Sequence, residues 1–437
     1  MVHRDEVAAS SVRGWRLARD RRGNVGMLFG FLLFPLMIAI GMSIDYSSAA
    51  RMRTRLDAVA DSASIAAVSA PMMAQSDAAA IAAARNLFNA QVQGLTGVVY
   101  SPSNLTVTAV DSGLSRAVTV TYTAQTVNQF GGLLGLPTIS IGGTATAYAS
   151  SPPNVDFYVM LDSSPSMAIA ATTTGIATMV NATQSQGGCA FACHEANPSS
   201  DNLGNPHGED NYALARNLGV TLRFDNVRTA VQSLTTTASS AMQTNNATYR
   251  MGIYSFDYGF NTITPITANL TSANSAAQNM QFLEVYNQSC VTSSNCNNDT
   301  DTNFDTAMSL INSTMPNPGA GSNNAGDTPQ EVLFMVTDGV EDETSNGNRV
   351  ISTPNTNWCT TIKNRGIRIA IVYTTYYPLP TNSFYVSNVQ PFQPNIGTIL
   401  QGCASPGLFF QVDTDGDISA ALASLFEAVI AAAHLTQ

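Results

Sequence analysis

Asp162, Ser164 and Ser166 stand at alternate positions at the end of the apolar run "DFYVMLDSSPSM", one carboxylate and two hydroxyls delivered to one short loop. All three are oxygen donors of the kind a hard divalent ion takes, and a single carboxylate leaves such an ion under-neutralised. A second carboxylate comes from "EVLFMVTDGVEDE", where another apolar run closes in Thr337-Asp338-Gly339. Between the two, "DTDTNFDTAM" offers Thr302 just before a helical pattern, with Thr300 and Thr306 nearby as hydroxyls of the same type. Asp162, Ser164 and Ser166 are therefore candidate metal ligands, with Asp338 and Thr302 as further oxygen donors that the fold could bring near them. Taken alone, D-x-S-x-S is a short pattern, equally at home as an N-cap cluster opening a helix. Other chemistries find less support. No histidine base is identifiable for Ser164 or Ser166, and no nucleophile elbow, phosphate loop or H-E-x-x-H is present, so catalysis is not expected.

Both carboxylate-bearing runs read as buried strands, and the pattern around them alternates strand with helix. Strand candidates are 156–161, 251–256, 331–337, 368–373 and 408–412; helical stretches are 225–243, 304–313, 359–364 and 418–432. Short apolar runs separated by helices predict a mostly parallel sheet covered on both faces. Such a sheet binds its ligands beyond the carboxyl ends of its strands, where Asp162 and Asp338 fall. Long polar insertions at about 172–222 and 281–301 interrupt the pattern, each with a cysteine pair. Loops of that length need a function or a tie.

The rest of the chain is organised differently. The net charge is −11, yet the first 24 residues hold six arginines against three acidic residues. So acidic a remainder is unsuited to a phosphate backbone, and no nucleic acid and no small-molecule substrate are expected as partners. Residues 25–44, "VGMLFGFLLFPLMIAIGMSI", carry no charge over twenty positions. That length crosses a bilayer, and a proline is tolerated there. Five arginines between Arg13 and Arg22, against Arg51, Arg53 and Arg55 beyond the other end, favour a cytoplasmic N-terminus on residues 1–24. Apolar residues at helical spacing continue the pattern to about residue 92 with a break near Pro71, and "LTVTAV", "AVTVTYTAQTV", "TISI" and "TATAYA" then alternate as a small antiparallel sheet. Residues 45–150 thus form a helix-plus-sheet region, closed by the linker "SSPPN", and 151–437 the larger α/β domain. With residues 45 onward outside the cytoplasm, the cysteines read as disulfides: Cys189 near Cys193, Cys290 near Cys296, and Cys359 with Cys403 left over, among fifteen connectivities.

D-x-S-x-S, then T-N-x-x-x-A-M, then an apolar strand ending in T-D-G, in that order, resemble a von Willebrand factor A domain. The resemblance implies a Rossmann-like fold and a metal-ion-dependent adhesion site (MIDAS) formed by Asp162, Ser164, Ser166, Thr302 and Asp338. Its ion is usually Mg²⁺, with Ca²⁺ or Mn²⁺ as alternatives, and a coordination position is left for a partner's carboxylate. "RRGNVGMLFGFLLFPLMIAIGMSIDYSSAARMRTRLDAVADSAS" resembles the membrane segment of TadE/TadG-like tight-adherence (Flp-type) pilus assembly proteins, and "CAFACH" and "VTDGVED" are similar to segments of the TadG-like members. The combination implies a non-enzymatic, single-pass inner-membrane protein, pilin-like over 45–150 and periplasmic or surface-exposed. It would act in pilus assembly, anchoring or adhesion, with protein partners from the pilus or secretion machinery. Leu28 stands where a cleaved prepilin has glutamate after the glycine (Gly23), so no cleavage is expected there. Two rival readings are a structural minor-pilin-like subunit whose A domain only braces it, and a periplasmic c-type haem protein, since Cys189-Ala-Phe-Ala-Cys193-His194 is one residue longer than a haem-attachment motif. "DTDGDIS", 413–419, looks like the start of a calcium loop but lacks its later ligands and reads as a turn ending in a helix cap; His207 reads as a solvated loop residue.

Overall fold

The computed structural model describes residues 23–195, 210–286, 300–322, 326–346 and 348–432. The chain divides after Ala149 into two units.

The first unit begins with helix α1, Gly23–Ala67, whose 45 residues run unbroken through Pro35. Its inner half exposes nearly every large side chain from Met27 to Ile44, and among the described residues it is the one helix long and apolar enough to cross a membrane. The outer half is a different object. Leu56, Ala60, Ala63 and Ala67 recur at three and four and are fully buried against α2, Asp77–Gln93, through Ala80, Ala84, Phe88 and Val92. Alanine on both helices lets them approach closely, and the bulk comes from one aromatic and the sheet below. The break predicted near Pro71 is there: α1 stops at Ala67, and Pro71 occupies the first turn of the short helix Ala70–Met73. The sheet's hairpin is β1, Leu105–Ser112, antiparallel to β2, Ser115–Val127. "TISI" and "TATAYA", read as two segments, are one continuous strand, β3, Thr138–Ser150, paired with β2. The two glycines between them do not turn the chain. Gly143 is bare because Tyr122, hydrogen-bonded to Asp57, lies beneath it, and a Cβ there would stand 2.0 Å from the Asp57 carboxylate.

The second unit is a six-stranded sheet. In chain order its strands are β4 (Val155–Asp162), β5 (Tyr249–Phe256), β6 (Phe260–Thr267), β7 (Gln330–Thr337), β10 (Arg368–Thr374) and β11 (Phe409–Val412). A hairpin outside the sheet, Glu341–Ser345 and Asn348–Ser352, supplies β8 and β9. The spatial order β11-β10-β7-β4-β5-β6 is that of the doubly wound, Rossmann-like sheet, with β6 antiparallel at one edge and all other pairings parallel. Every residue of β4 is buried, as its apolar run requires at the centre of a sheet covered on both sides. Two apolar clusters cover the two faces. One gathers around Phe157, Phe334 and Phe426, the other around Phe256, Phe304 and Ile371.

Several elements lie outside the predicted pattern. Strand β6 is one, its weak alternation including Pro265, a residue an edge strand tolerates. Helices Thr173–Ala182 and Asn211–Asn217 fall inside the first predicted insertion, and Gln393–Cys403 inside a stretch with no predicted element. The Cys359–Cys403 disulfide is present and ties helix Asn357–Asn364 to the end of helix Gln393–Cys403. Closing a loop of 44 residues, it contributes roughly 4 kcal/mol by loop-closure entropy. The expected Cys189–Cys193 bridge is not formed. Both are free thiols, and they hydrogen-bond to one another instead. Cys290, Cys296 and His207 lie outside the described residues.

Candidate metal centre

Strands β4 and β7 are neighbours in parallel register, Leu161 opposite Val336, so Asp162 and Thr337-Asp338 leave the sheet side by side at its carboxyl end. Beyond Asp162 the chain turns at once. The Ser163 N–H donates to the carbonyl of Phe256 (2.8 Å) and its hydroxyl to Asp257 (3.1 Å), which pins the loop to the end of β5. Pro165 then opens a 3-10 turn, Pro165–Ala168, with φ already suited to it, and Ser164 and Ser166 are held on one side.

The hydroxyls and carboxylates form a connected set. Asp162 Oδ1 accepts from the Ser164 N–H (3.0 Å) and Oγ (2.5 Å), while its Oδ2 accepts from Thr337 Oγ1 (2.7 Å). Ser164 and Ser166 share a hydroxyl contact of 2.9 Å, and the Ser166 hydroxyl lies against the Asp338 carboxyl. Asp338 Oδ1 receives a long bond from the Val340 N–H (3.3 Å), and its Oδ2 is buried with no hydrogen bond of ordinary geometry. Gly339 makes the turn: its φ is +73°, and a Cβ there would meet Ile396 at 2.4 Å and Leu400 at 2.9 Å. Helix Gln393–Cys403, held by the disulfide, therefore shapes the T-D-G corner from behind.

Thr302 arrives from a different direction. Its backbone pairs both ways with Asp342 (3.0 and 2.9 Å), and Asn303 caps the following helix, Phe304–Thr314, by accepting from the Thr306 N–H. Thr302 and Ser166 line one cavity of about 290 Å³, whereas Thr306 is exposed on the helix. The structure thus connects Asp162, Ser164, Ser166 and Asp338 directly and sets Thr302 across a shared cavity from Ser166.

Burial dominates the electrostatics of this cluster. Asp162 and Asp338 are both inaccessible to solvent. Burial, and then the Asp338 charge, push Asp162 up to about 7, and burial raises Asp338 as well. Sequence reasoning missed the group that opposes this: Arg223, itself buried, whose Nη2 donates to the Thr375 carbonyl (2.9 Å) and whose charge favours both carboxylates. No motif marks it, since Arg223 opens a helix 61 residues after Asp162 in sequence and only the fold brings it near. Two carboxylates with hydroxyls, and an orphaned Asp338 oxygen among them, fit a hard divalent ion. Among the described residues no cluster of three or more His, Cys, Asp or Glu offers an alternative.

The other candidates are engaged elsewhere. Asp413 accepts from Thr375, Asp415 from Thr173, and Asp417 caps the last helix through Ala420, so the three carboxylates of "DTDGDIS" do not converge. His194 Nδ1 is bound to Asp210 at 2.6 Å and its ring packs on Tyr212.

The family model described as "Putative Flp pilus-assembly TadE/G-like" matches residues 23–70. No curated protein matches the chain. Among solved structures the chain is similar to a conserved hypothetical protein, BatB, from Bacteroides thetaiotaomicron (12% identity, TM-score 0.33, covering 64% of this chain and 100% of that one). It is similar to the vWF domain of the type V pili tip protein Mfa5 from Porphyromonas gingivalis (10%, TM-score 0.35, 65% and 97%). A third is proximal thread matrix protein 1 from the mussel byssus with a zinc-occupied MIDAS motif (12%, TM-score 0.33, 64% and 48%). Residues 23–70 thus match the TadE/G-like Flp pilus-assembly model, on the same chain as a Rossmann-like α/β unit.

Proposed function

We propose that this protein is a membrane-anchored, non-enzymatic component of a tight-adherence pilus system, and that its α/β unit binds a partner protein through a divalent metal ion. In this reading residues 1–24 are a cytoplasmic tail, 25–44 cross the inner membrane, 45–150 form a pilin-like region, and 151–437 are a von Willebrand A-like domain outside the cytoplasm. The observation that carries the binding mechanism is the buried, unpartnered Oδ2 of Asp338, next to a chain of hydroxyls that ends on Asp162. Leaving such an oxygen unsatisfied costs about 1–3 kcal/mol or more, an expense a bound cation would offset.

Asp162, Ser164, Ser166, Thr302 and Asp338 would hold the ion, with Mg²⁺ first and Ca²⁺ or Mn²⁺ next. The ion supplies a point of positive charge at which an acidic side chain of a pilus or secretion partner can dock. The chain's own residues do the rest. Thr337 and the Ser164 N–H orient Asp162, Gly339 sets the direction of Asp338, and Arg223 balances charge without exposing itself. Titration calorimetry of the full chain in detergent should show saturable Mg²⁺ binding, lost in Asp162→Ala, and a pull-down should release the partner with EDTA. Absence of any divalent-ion binding would remove the mechanism while leaving the fold intact.

A further inference from the structure

The connection between β2 and β3, residues 128–137, reads "NQFGGLLGLP" and carries no charge. It would be an odd loop to leave in water: Leu133 is 85% exposed, and Phe130, Leu134 and Leu136 are each more than two-fifths exposed. Its position gives the reason. Asp45, one residue beyond the apolar run of α1, accepts the N–H groups of Gln129 (2.9 Å), Phe130 (3.0 Å) and Gly131 (2.7 Å). One turn further toward the N-terminus, Phe130 covers Gly41 so closely that a Cβ on Gly41 would stand 2.7 Å from it. Gly41 lies three residues inside the apolar run, about 4.5 Å below its end at the helical rise.

The backbone of the loop is also prepared for an apolar setting, where each unpaired polar group is costly. Besides the three N–H groups taken by Asp45, Asn128 donates to the Pro137 carbonyl from its backbone (2.9 Å) and to the Leu136 carbonyl from its side chain (2.9 Å). Leu136 donates to Gly131 (2.9 Å) and Gly135 to Gly132 (3.2 Å). Apolar side chains are exposed while these backbone groups are paired within the loop or with one carboxylate.

We propose that residues 130–136 are a second membrane contact, a loop that dips into the outer-facing leaflet beside α1 and is clamped to it by Asp45. The occupant of this apolar surface is the lipid bilayer, since the loop is seated on the same helix face that enters it; the proposal rests on residues 25–44 spanning the membrane. Together the helix and the loop would give the first unit two points of attachment and so a fixed orientation on the membrane.

The test uses the full chain with Trp15→Phe and Trp358→Phe, reconstituted in vesicles containing lipids brominated on their acyl chains. Single reporters are Leu133→Trp, Leu36→Trp inside the span, and Tyr148→Trp, an exposed position on β3. The expected result is blue-shifted emission and loss of most fluorescence for Leu133→Trp and Leu36→Trp, with Tyr148→Trp unchanged. Quenching at Leu36→Trp but not at Leu133→Trp overturns the loop contact and leaves the span standing. No quenching at Leu36→Trp overturns the span and the proposal with it. Equal quenching of all three overturns the assignment to this loop.

Discussion

Replacing Asp338 with asparagine should make the metal-free protein more stable at alkaline pH while abolishing its response to a divalent ion. Asp162 and Asp338 are both wholly buried, and Asp162 is pushed from 3.8 up to about 7, by burial first and by its neighbour second. A carboxyl whose folded value is raised contributes stability that is fully present below its unfolded value and is lost as pH rises through the folded one. The metal-free wild type should therefore lose stability progressively from about pH 4 to about pH 7. A shift of about 3 pH units, at about 1.4 kcal/mol each, sets the loss from Asp162 alone on the order of 4 kcal/mol. Asp338→Asn removes one buried charge and relieves the repulsion on the other, so roughly 2–4 kcal/mol should return at pH 8 and little at pH 4. The ion acts in the opposite way. At a hundred times its dissociation constant it adds about 2.7 kcal/mol to the wild type and nothing to the variant. Urea unfolding of the full chain in detergent, followed by the fluorescence of Trp358, which packs against the core of the α/β unit, measures both. If Asp338→Asn has no effect at pH 8, the carboxylates are not buried as charges in the metal-free protein. If the variant still gains stability from Mg²⁺, the ion binds elsewhere.

Three further outcomes follow from particular environments. Glu331 is 1% exposed at the amino end of β7, with both carboxyl oxygens unpartnered, and burial and then the Asp156 charge push it up to about 8. Its stability contribution is present below pH 4.5 and lost by about pH 8, so Glu331→Gln should stabilise the protein by a few kcal/mol in urea unfolding at pH 8.5 and hardly at all at pH 4. Cys189 is lowered to about 7, chiefly by its hydrogen bond from Cys193, which is itself raised. One thiol should alkylate with iodoacetamide half-maximally near pH 7, and mass spectrometry of the peptides should place the label on Cys189 before Cys193. Replacing Cys359 and Cys403 by serine should cost roughly 4 kcal/mol in the unfolding of the α/β unit, read against the same variant's unchanged far-UV circular dichroism.

The placement of Asp162 and Asp338 at strand ends was legible from the chain alone because each closes a short apolar run within an alternating strand–helix pattern. A parallel sheet aligns such ends, so two runs ending in carboxylates announce a shared site before any coordinates are known. The uncharged stretch 25–44 was legible for an equally simple reason, since length and the absence of charge are properties of the segment itself. What the sequence could not declare depends on contacts between distant residues. Arg223 acts on the two carboxylates through space, from the start of a helix that no motif distinguishes. The edge strand Phe260–Thr267 and the helix behind Gly339 exist because the sheet and the disulfide give weak local patterns something to pack against. Cys189 and Cys193, close in sequence, settle as hydrogen-bonded thiols, because sequence proximity does not set the geometry of a bond. The apolar loop at 130–136 carries three glycines and no motif; only the fold lays it against Gly41 and under the carboxylate of Asp45. Strand ends and hydropathy are local and can be read along the chain; charge balance, clamping and bond formation belong to pairs of residues that only folding brings together.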